Sequence, residues 1–306
     1  MRWLARSARA GAPTLAGVTL ALAFLPSLLF GVMALTIGAF PADARRQNVA
    51  VMVGAGVVSL AVTSFLGGAW SLKATLFGIL AGLMWSTGQV LVLRGFHAWG
   101  VSRTMPLTTA LQLALNAVIG VTLLGEWRGP GALPLGVLAL ALIMAGALGC
   151  SWQEPDGPGP DAASRRRGLI ATVLSALVYG SYAGMLRLAD VSSADALGPM
   201  GIGLLLGALA CLRAIPSTQP VTGPRFLPSA VAGGVWAVGN AVLLHSTATV
   251  GVATGFSLSQ LGFVISTTGG VLLLGERRSP REGWAAAAGV VAAVVGVVLM
   301  GLAAAR

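Results

Sequence analysis

The chain has 306 residues, of which 56% are hydrophobic and 9% are charged, whereas soluble domains carry roughly 25% charged residues. So few charges cannot cover the surface of a soluble protein of this length, and the composition therefore predicts an integral membrane protein. The net charge of +10 does not indicate nucleic-acid binding. The arginines stand singly or in short runs between apolar segments, where loop charges orient membrane spans.

Ten apolar segments follow one another along the chain. A helix needs about 20 apolar residues to cross roughly 30 Å of hydrocarbon, and in lipid the backbone must satisfy its own hydrogen bonds, which a helix does. The first segment is longer than the roughly 7–15 residues of a signal-peptide core, so we interpret it as a span and not as a cleaved leader. The predicted spans are 15–37, 49–66, 74–93, 104–124, 131–149, 168–187, 195–213, 228–246, 252–274 and 283–303.

The sequence contains an internal duplication. The stretch Gly82–Trp127 recurs about 150 positions later as Gly233–Arg277, with a single gap between the matching blocks. A repeat of this length decides how the whole fold is interpreted. The matched pairs are Trp85 and Trp236, Gly88 and Gly239, Gln89 and Asn240, Gly100 and Gly251, Val101 and Val252, and Glu126 and Glu276.

The duplication predicts three parts: a first five-helix repeat at 1–150, a Pro- and Gly-rich linker at 151–167 and a second five-helix repeat at 168–306. Because five is an odd number, the second repeat must enter the membrane from the opposite side to the first. The predicted fold is therefore an all-α membrane protein with ten transmembrane helices in two inverted five-helix repeats. In secondary transporters such repeats place the substrate near the midplane, between the halves.

The arginines leave the orientation in the membrane open. The loops after the odd-numbered spans hold more arginines than the opposite side, which favours both termini outside under the positive-inside rule. Arg2, Arg6 and Arg9, before the first span, favour the opposite orientation. The sequence also leaves open whether the protein is a homo-oligomer.

Polar side chains recur on single faces of four predicted spans. Trp85 and Gln89 are four residues apart, and so are their repeat partners Trp236 and Asn240, a spacing that places each pair on one helix face. An amide facing lipid without a partner would cost several kcal/mol, so these faces should point into the bundle. Such residues also serve as plain interhelical hydrogen bonds. The predicted substrate-binding residues are Trp85, Gln89, Thr108, Gln112, Asn116, Trp236, Asn240, Ser257 and Gln260, and Thr267 shares the face of the last two.

The residue types on these faces favour a neutral solute rich in hydroxyl groups. Amides donate to hydroxyls and accept from them, while an indole presents a flat apolar face with one N–H donor. A sugar ring offers both kinds of surface. The expected partners are therefore a neutral sugar and the lipid bilayer, and not a nucleic acid.

The ionisable residues of interest lie at the ends of spans. Glu126 and Glu276 occupy matched Leu-Gly-Glu turns, Arg103 opens the fourth span, and His245 closes the eighth. We interpret them first as interfacial anchors and second as candidates for proton coupling. The sequence shows no nucleophile–base pair, metal-ligand cluster or phosphate-binding glycine loop, so we expect no enzymatic activity, no cofactor and no metal.

A resemblance to a known family rests on four segments, which read GLMWSTGQ, GVSRTMPLTTALQL, GVTLLGEW and GFSLSQLGFVISTTGGVLLLGE. There the chain resembles the glucose/ribose porter family of the drug/metabolite transporter superfamily, and in particular the bacterial glucose uptake proteins. The most specific blocks are Gly100–Pro106 and Ser257–Gln260. The resemblance implies ten helices in two inverted repeats, cytoplasmic termini, and monosaccharide uptake coupled to protons. The first span and Gly38–Gln47 depart from the family pattern, which leaves the exact sugar open.

Together these features predict a secondary transporter that moves a glucose- or ribose-like monosaccharide across the cytoplasmic membrane by alternating access. Proton coupling is implied by the resemblance alone. One alternative is an exporter of drugs or metabolites on the same scaffold. Another, from a different class, is a non-transporting membrane sensor or assembly partner, although such a protein has no need of matched polar faces in both halves. The predicted location is the cell membrane, with multiple spans.

Overall fold

The computed structural model describes residues 24–123, 127–154, 159–250 and 259–304. Within these ranges the chain forms ten α-helices and no β-strand, which confirms the predicted all-α fold. Each predicted span overlaps one helix. The helices are α1 (Phe24–Ala39), α2 (Ala44–Leu66), α3 (Leu72–Trp99), α4 (Val101–Thr122), α5 (Ala132–Ser151), α6 (Ala162–Leu188), α7 (Ser193–Ala214), α8 (Phe226–Val250), α9 (Gly262–Leu272) and α10 (Pro280–Ala304).

Seven of the described helices, α2, α3, α5, α6, α7, α8 and α10, are long and apolar enough to cross a membrane. The helices α1 and α9 are apolar but shorter, and the predicted spans 15–37 and 252–274 extend from them into residues outside the described ranges. Large apolar side chains such as Leu76, Leu148 and Val298 are exposed to the surroundings, as expected for a surface in contact with lipid. The prediction of a membrane protein is confirmed.

The junction between α3 and α4 differs from the loop predicted at 94–103. The helix α3 continues to Trp99, and α4 begins at Val101. Gly100 alone makes the turn with a φ of 97°, a conformation that glycine adopts at little cost. The prediction places Arg103 at the membrane interface, where it opens the fourth span, whereas this side chain is buried in the protein.

The connection between the halves is also more helical than predicted. The helix α5 ends at Ser151 and α6 begins at Ala162, so residues 162–167 of the predicted linker are helical. Asp161 starts α6, because its carboxylate accepts a hydrogen bond from the Ser164 N–H at 3.0 Å and so caps the helix. The arginines that follow are good helix formers, and polarity alone does not distinguish a solvated helix from a loop.

Helices from the two halves pack on each other in corresponding pairs. The helix α2 packs on α8, α3 packs on α7, and α5 packs on α10. Glycines permit the close approach, because at several of them a Cβ would collide with the backbone of the neighbouring helix. Among these contacts are Gly54 with Ala230, Gly203 with Ile79, Gly233 with Val51, and Gly82 with Met200.

The buried apolar side chains form two clusters. The larger one lies among α1, α2, α3, α6, α7 and α8 and includes Trp85 and Trp236. The smaller one joins α4 to α5 and α10 through Leu107, Ile143 and Val297. Since lipid is as apolar as these side chains, tight packing rather than exclusion of water holds the helices together inside the membrane.

Candidate functional site

A cavity lies among α1, α3, α4, α6, α8 and the turn that precedes α9. Its volume is about 110 Å³. One water needs roughly 10–15 Å³ on the same kind of measure, so the cavity has room for several waters or for a small solute. Trp85 and Trp236 line it near the middle of α3 and α8, which places the cavity far from the helix ends.

Most of the predicted substrate-binding residues line this cavity. They are Trp85, Gln89, Thr108, Gln112, Trp236, Asn240 and Gln260. Ser257 lies outside the described residues, and so does the side chain of Asn116. The sequence predicts that Thr267 shares a helical face with Gln260, but α9 begins only at Gly262 and Gln260 lies in the turn before it. Thr267 lies elsewhere, beside a second cavity between α9 and α10.

Three aromatic rings form one wall of the cavity. The rings of Trp85 and Trp236, which correspond in the duplication, have centroids 4.0 Å apart and planes at 35°. The Tyr179 ring follows at 5.4 Å from Trp85. These tilted rings give the cavity an apolar lining, which suits the C–H face of a sugar ring.

Several polar groups on the cavity wall have no protein partner among the described residues. Oγ1 of Thr108 is buried and accepts and donates no hydrogen bond, and the amide of Asn240 makes none although the residue is buried. Gln89 accepts one hydrogen bond, from the Tyr179 hydroxyl, through its Oε1. Buried polar groups are nearly always paired, so these groups are suited to bind water or a polar solute.

The described lining of the cavity contains no Asp, Glu, Lys, Arg or His. The described part of the chain also brings together no cluster of side chains that could hold a metal ion. An ionised ligand would therefore meet no opposite charge on these walls, and burying an unpaired charge is costly. The described walls are best suited to an uncharged solute.

The predicted coupling candidate Arg103 is part of a charged end cluster, formed by Arg103, Glu276, Arg278 and Glu282 where α4 and α10 begin. Nη2 of Arg103 lies 3.2 Å from Oε2 of Glu282, and both side chains are almost fully buried. Arg103 also donates to the Arg277 carbonyl at 3.3 Å. Glu282 accepts from the backbone N–H of Glu154 at 2.9 Å. This ion pair ties α4 to α10.

Glu276, the second described coupling candidate, caps α4. Its carboxylate accepts hydrogen bonds from the Val101 N–H at 2.7 Å and the Ser102 N–H at 3.2 Å, and from the Ser102 hydroxyl. Arg278 donates to the carbonyls of Ser102 and Cys150, and burial lowers its pKa, followed in size by the effect of the Arg103 charge. Of the other candidates, Glu126 and the side chain of His245 lie outside the described residues.

The structure adds cavity residues that the sequence interpretation missed. Tyr179 and Tyr182 line the cavity from α6, and they are the two tyrosines of the chain, three residues apart. Ser259 and Thr109 line it as well. The duplication pairs Ser259 with Thr108, and Thr109 with Gln260, so extending the repeat alignment through the fourth and ninth spans would have found both.

The family model described as "Sugar transport protein" matches residues 21–303, which is nearly the whole chain. The chain belongs to the sugar transport protein family. The predicted likeness to a glucose uptake porter family is thereby confirmed, while membership of the drug/metabolite transporter superfamily stays a prediction.

Relatives within the family match along almost their full length. A Listeria innocua protein named for sugar uptake is 36% identical over 282 residues, which cover 92% of this chain and 98% of that protein. The glucose uptake protein GlcU of Bacillus subtilis is 35% identical over 285 residues, with 93% and 98% covered. A crystal structure with 18% sequence identity matches the fold with a TM-score of 0.61, over 94% of this chain and 99% of that one.

Family membership and the apolar helices agree on the class of protein. The chain is a sugar transport family member and not an enzyme. It is a multi-pass protein of the cell membrane, as predicted from its composition.

Proposed function

We propose that this protein takes up a neutral monosaccharide, glucose or a similar sugar, by alternating access around the cavity at Trp85 and Trp236. The observation that carries the proposal is the chemistry of the cavity wall: the Asn240 amide and the Thr108 hydroxyl have no partner among the described residues, and no charged side chain is described there. A sugar offers hydroxyls to the amides and a C–H face to the indoles. The names of the relatives support sugar uptake.

The packing supports two inverted five-helix repeats with ten spans. Under a two-fold relation between the halves, each contact between them should have a counterpart. The contact of Gly54 with Ala230 has its counterpart in that of Gly203 with Ile79, because the duplication pairs Gly54 with Gly203 and Ala230 with Ile79. The contact of Gly233 with Val51 has its counterpart in that of Gly82 with Met200. Inverted repeats of this kind place a substrate between the halves, where the indoles of Trp85 and Trp236 meet.

The same observations disfavour the alternatives. An exporter of cationic drugs would bind its substrate more tightly with a carboxylate in the cavity, and the described walls have none. A sensor or assembly partner has no use for polar groups left unpaired around an internal cavity.

Coupling to protons would have to involve a carboxylate outside the described lining, and Glu276 is our candidate. Protonation of the Glu276 carboxylate would weaken the hydrogen bonds that it accepts from the Val101 and Ser102 N–H groups. The start of α4 would then be held less firmly. An inward proton gradient should then accelerate uptake by the wild type but not by Glu276→Gln, with counterflow retained in the variant. If the rate of wild-type uptake is the same with and without the proton gradient, the protein is a uniporter.

The test of the transport function is counterflow of labelled glucose in proteoliposomes. The wild type should exchange glucose, and Asn240→Leu should abolish exchange without lowering the thermal unfolding midpoint in detergent. Gln219→Leu, an amide exposed in the loop between α7 and α8, is the matched control and should behave as wild type. A folded wild type that does not exchange any of glucose, ribose or galactose would refute sugar transport, and normal exchange by Asn240→Leu would refute the assigned site.

A further inference from the structure

The residues around the cavity come in pairs that correspond between the two halves. Gly88 and Gly239 are one such pair, and an aromatic ring packs on each of them: Tyr179 on Gly88 and Phe30 on Gly239. Tyr179 and Phe30 therefore occupy equivalent positions, on α6 and α1, and both line the cavity. Only one of these two equivalent rings carries a hydroxyl.

That hydroxyl changes what the neighbouring amide can do. The Tyr179 hydroxyl donates to Oε1 of Gln89, which takes one of the two lone pairs of the carbonyl and fixes which end of the amide is the carbonyl and which is the NH2 group. Asn240 is the counterpart of Gln89 and makes no such bond among the described residues, because Phe30 has no hydroxyl to offer. The Gln89 amide is thus held in one orientation, whereas the Asn240 amide can turn to present either its carbonyl or its NH2 group to a solute.

We propose that Tyr179 is a positioning residue, which fixes the orientation of the Gln89 amide and so makes the sugar site directional. The inference rests on the sugar transport proposed above. A sugar hydroxyl that meets Nε2 of Gln89 has to accept, while one that meets Asn240 can either donate or accept. This difference favours one of the two orientations in which a monosaccharide can lie between the halves.

A double-mutant cycle on KM for glucose counterflow tests whether Tyr179 acts through Gln89. Tyr179→Phe should raise KM about tenfold, roughly the effect of one hydrogen bond, with little change in maximal rate. Gln89→Met, which removes the amide and keeps the chain length, should raise KM at least as much. In the Gln89→Met background, Tyr179→Phe should then change KM less than about twofold. Additive effects of the two substitutions would overturn the proposal.

Tyr182→Phe is the matched control, since it removes a hydroxyl from the same helix and the same cavity. No hydrogen bond joins Tyr182 to Gln89 in the described residues. Its effect on KM, whatever its size, should be equal in the wild-type and Gln89→Met backgrounds. Coupling of Tyr182→Phe to Gln89 as strong as that of Tyr179→Phe would also overturn the assignment.

The reciprocal variant Phe30→Tyr tests the same idea in a protein that retains Tyr179. A hydroxyl at this position should donate to the Asn240 carbonyl and fix the orientation of this amide, as Tyr179 fixes that of Gln89, and raise KM about tenfold. Phe30→Leu, which adds no hydroxyl, should raise KM by less. Equal KM values for Phe30→Tyr and the wild type would overturn directionality. Because all these measurements require a wild type that exchanges glucose, failure of the transport function is recognised separately.

Discussion

Buried polar side chains are paired in the charged end cluster, whereas some on the cavity wall have no partner among the described residues. At the end cluster, Arg103 and Glu282 are almost fully buried and 3.2 Å apart, and Glu276 accepts two backbone N–H bonds from α4. On the cavity wall, the Thr108 hydroxyl is buried, Asn240 is 7% exposed, and neither has a described partner. Both regions contain polar side chains at the surfaces of packed helices, but those of the end cluster are charged and paired, whereas these two on the cavity wall are uncharged and without a described partner.

The difference separates structural polar groups from binding groups. A paired buried charge stabilises the fold only while its partner is present. An unpaired buried dipole weakens the fold and is retained where a ligand or water completes it. Substitutions in the end cluster should therefore lower stability, whereas substitutions on the cavity wall should lower transport and leave stability unchanged.

The largest effect on stability is expected for Arg103→Met. It leaves Glu282 buried without its opposite charge, and breaking a buried pair in this way costs about 3–5 kcal/mol. Thermal unfolding in detergent should show a large drop in midpoint. The double variant Arg103→Met with Glu282→Met should recover only part of the lost stability. The Glu154 N–H donates to Glu282 in the wild type and would have lost this acceptor. An unchanged midpoint in Arg103→Met would contradict a stabilising role for this ion pair.

A smaller loss is expected for Glu276→Ala, which removes the cap from α4. A lost helix cap costs about 0.5–2 kcal/mol, and here the N–H groups of Val101 and Ser102 lose their acceptor. The unfolding midpoint should fall by less than in Arg103→Met, and glucose exchange by the remaining folded protein should persist. Total loss of exchange in fully folded protein would give Glu276 a direct part in binding.

Thr108→Val should impair transport and leave stability nearly unchanged, which is the reverse of the two preceding variants. The substitution replaces a buried hydroxyl without a partner by a methyl group of similar size, so stability should change by less than about 0.5 kcal/mol. KM for glucose should rise several-fold if the hydroxyl binds the sugar. The matched control Thr104→Val removes a hydroxyl from the same helix, bonded at 2.7 Å to the Gly100 carbonyl and outside the cavity, and should leave KM unchanged.

The smallest effect is expected for Arg281→Ala. Arg281 pairs with Glu154 at 3.0 Å, but its side chain is 81% exposed, and exposed ion pairs contribute little to stability. Neither the unfolding midpoint nor the counterflow rate should change measurably. A clear loss in either would mean that the end cluster extends to this pair.

The sequence predicted the ends of the helices less well than their existence. Ten apolar segments led to ten helices, because apolar length is a property of each segment alone. The α3–α4 junction was misplaced, since one glycine makes the turn at Gly100 and Arg103 is buried by a partner far away in the chain. The cavity residues Trp85, Gln89 and Asn240 were predicted from their matched spacing, whereas Tyr179 was missed because its role depends on its contact with Gln89.

By itself the sequence determined an all-helical membrane protein, its duplication and the uncharged amide and indole groups that line its cavity. These follow from composition, segment length and repeated spacing, which are all readable along one dimension. Only the tertiary structure decided which polar groups are paired. Arg103 meets Glu282, Glu276 meets the start of α4, and Asn240 meets no described partner. Pairing depends on distances between residues up to 179 positions apart, and no local pattern records them.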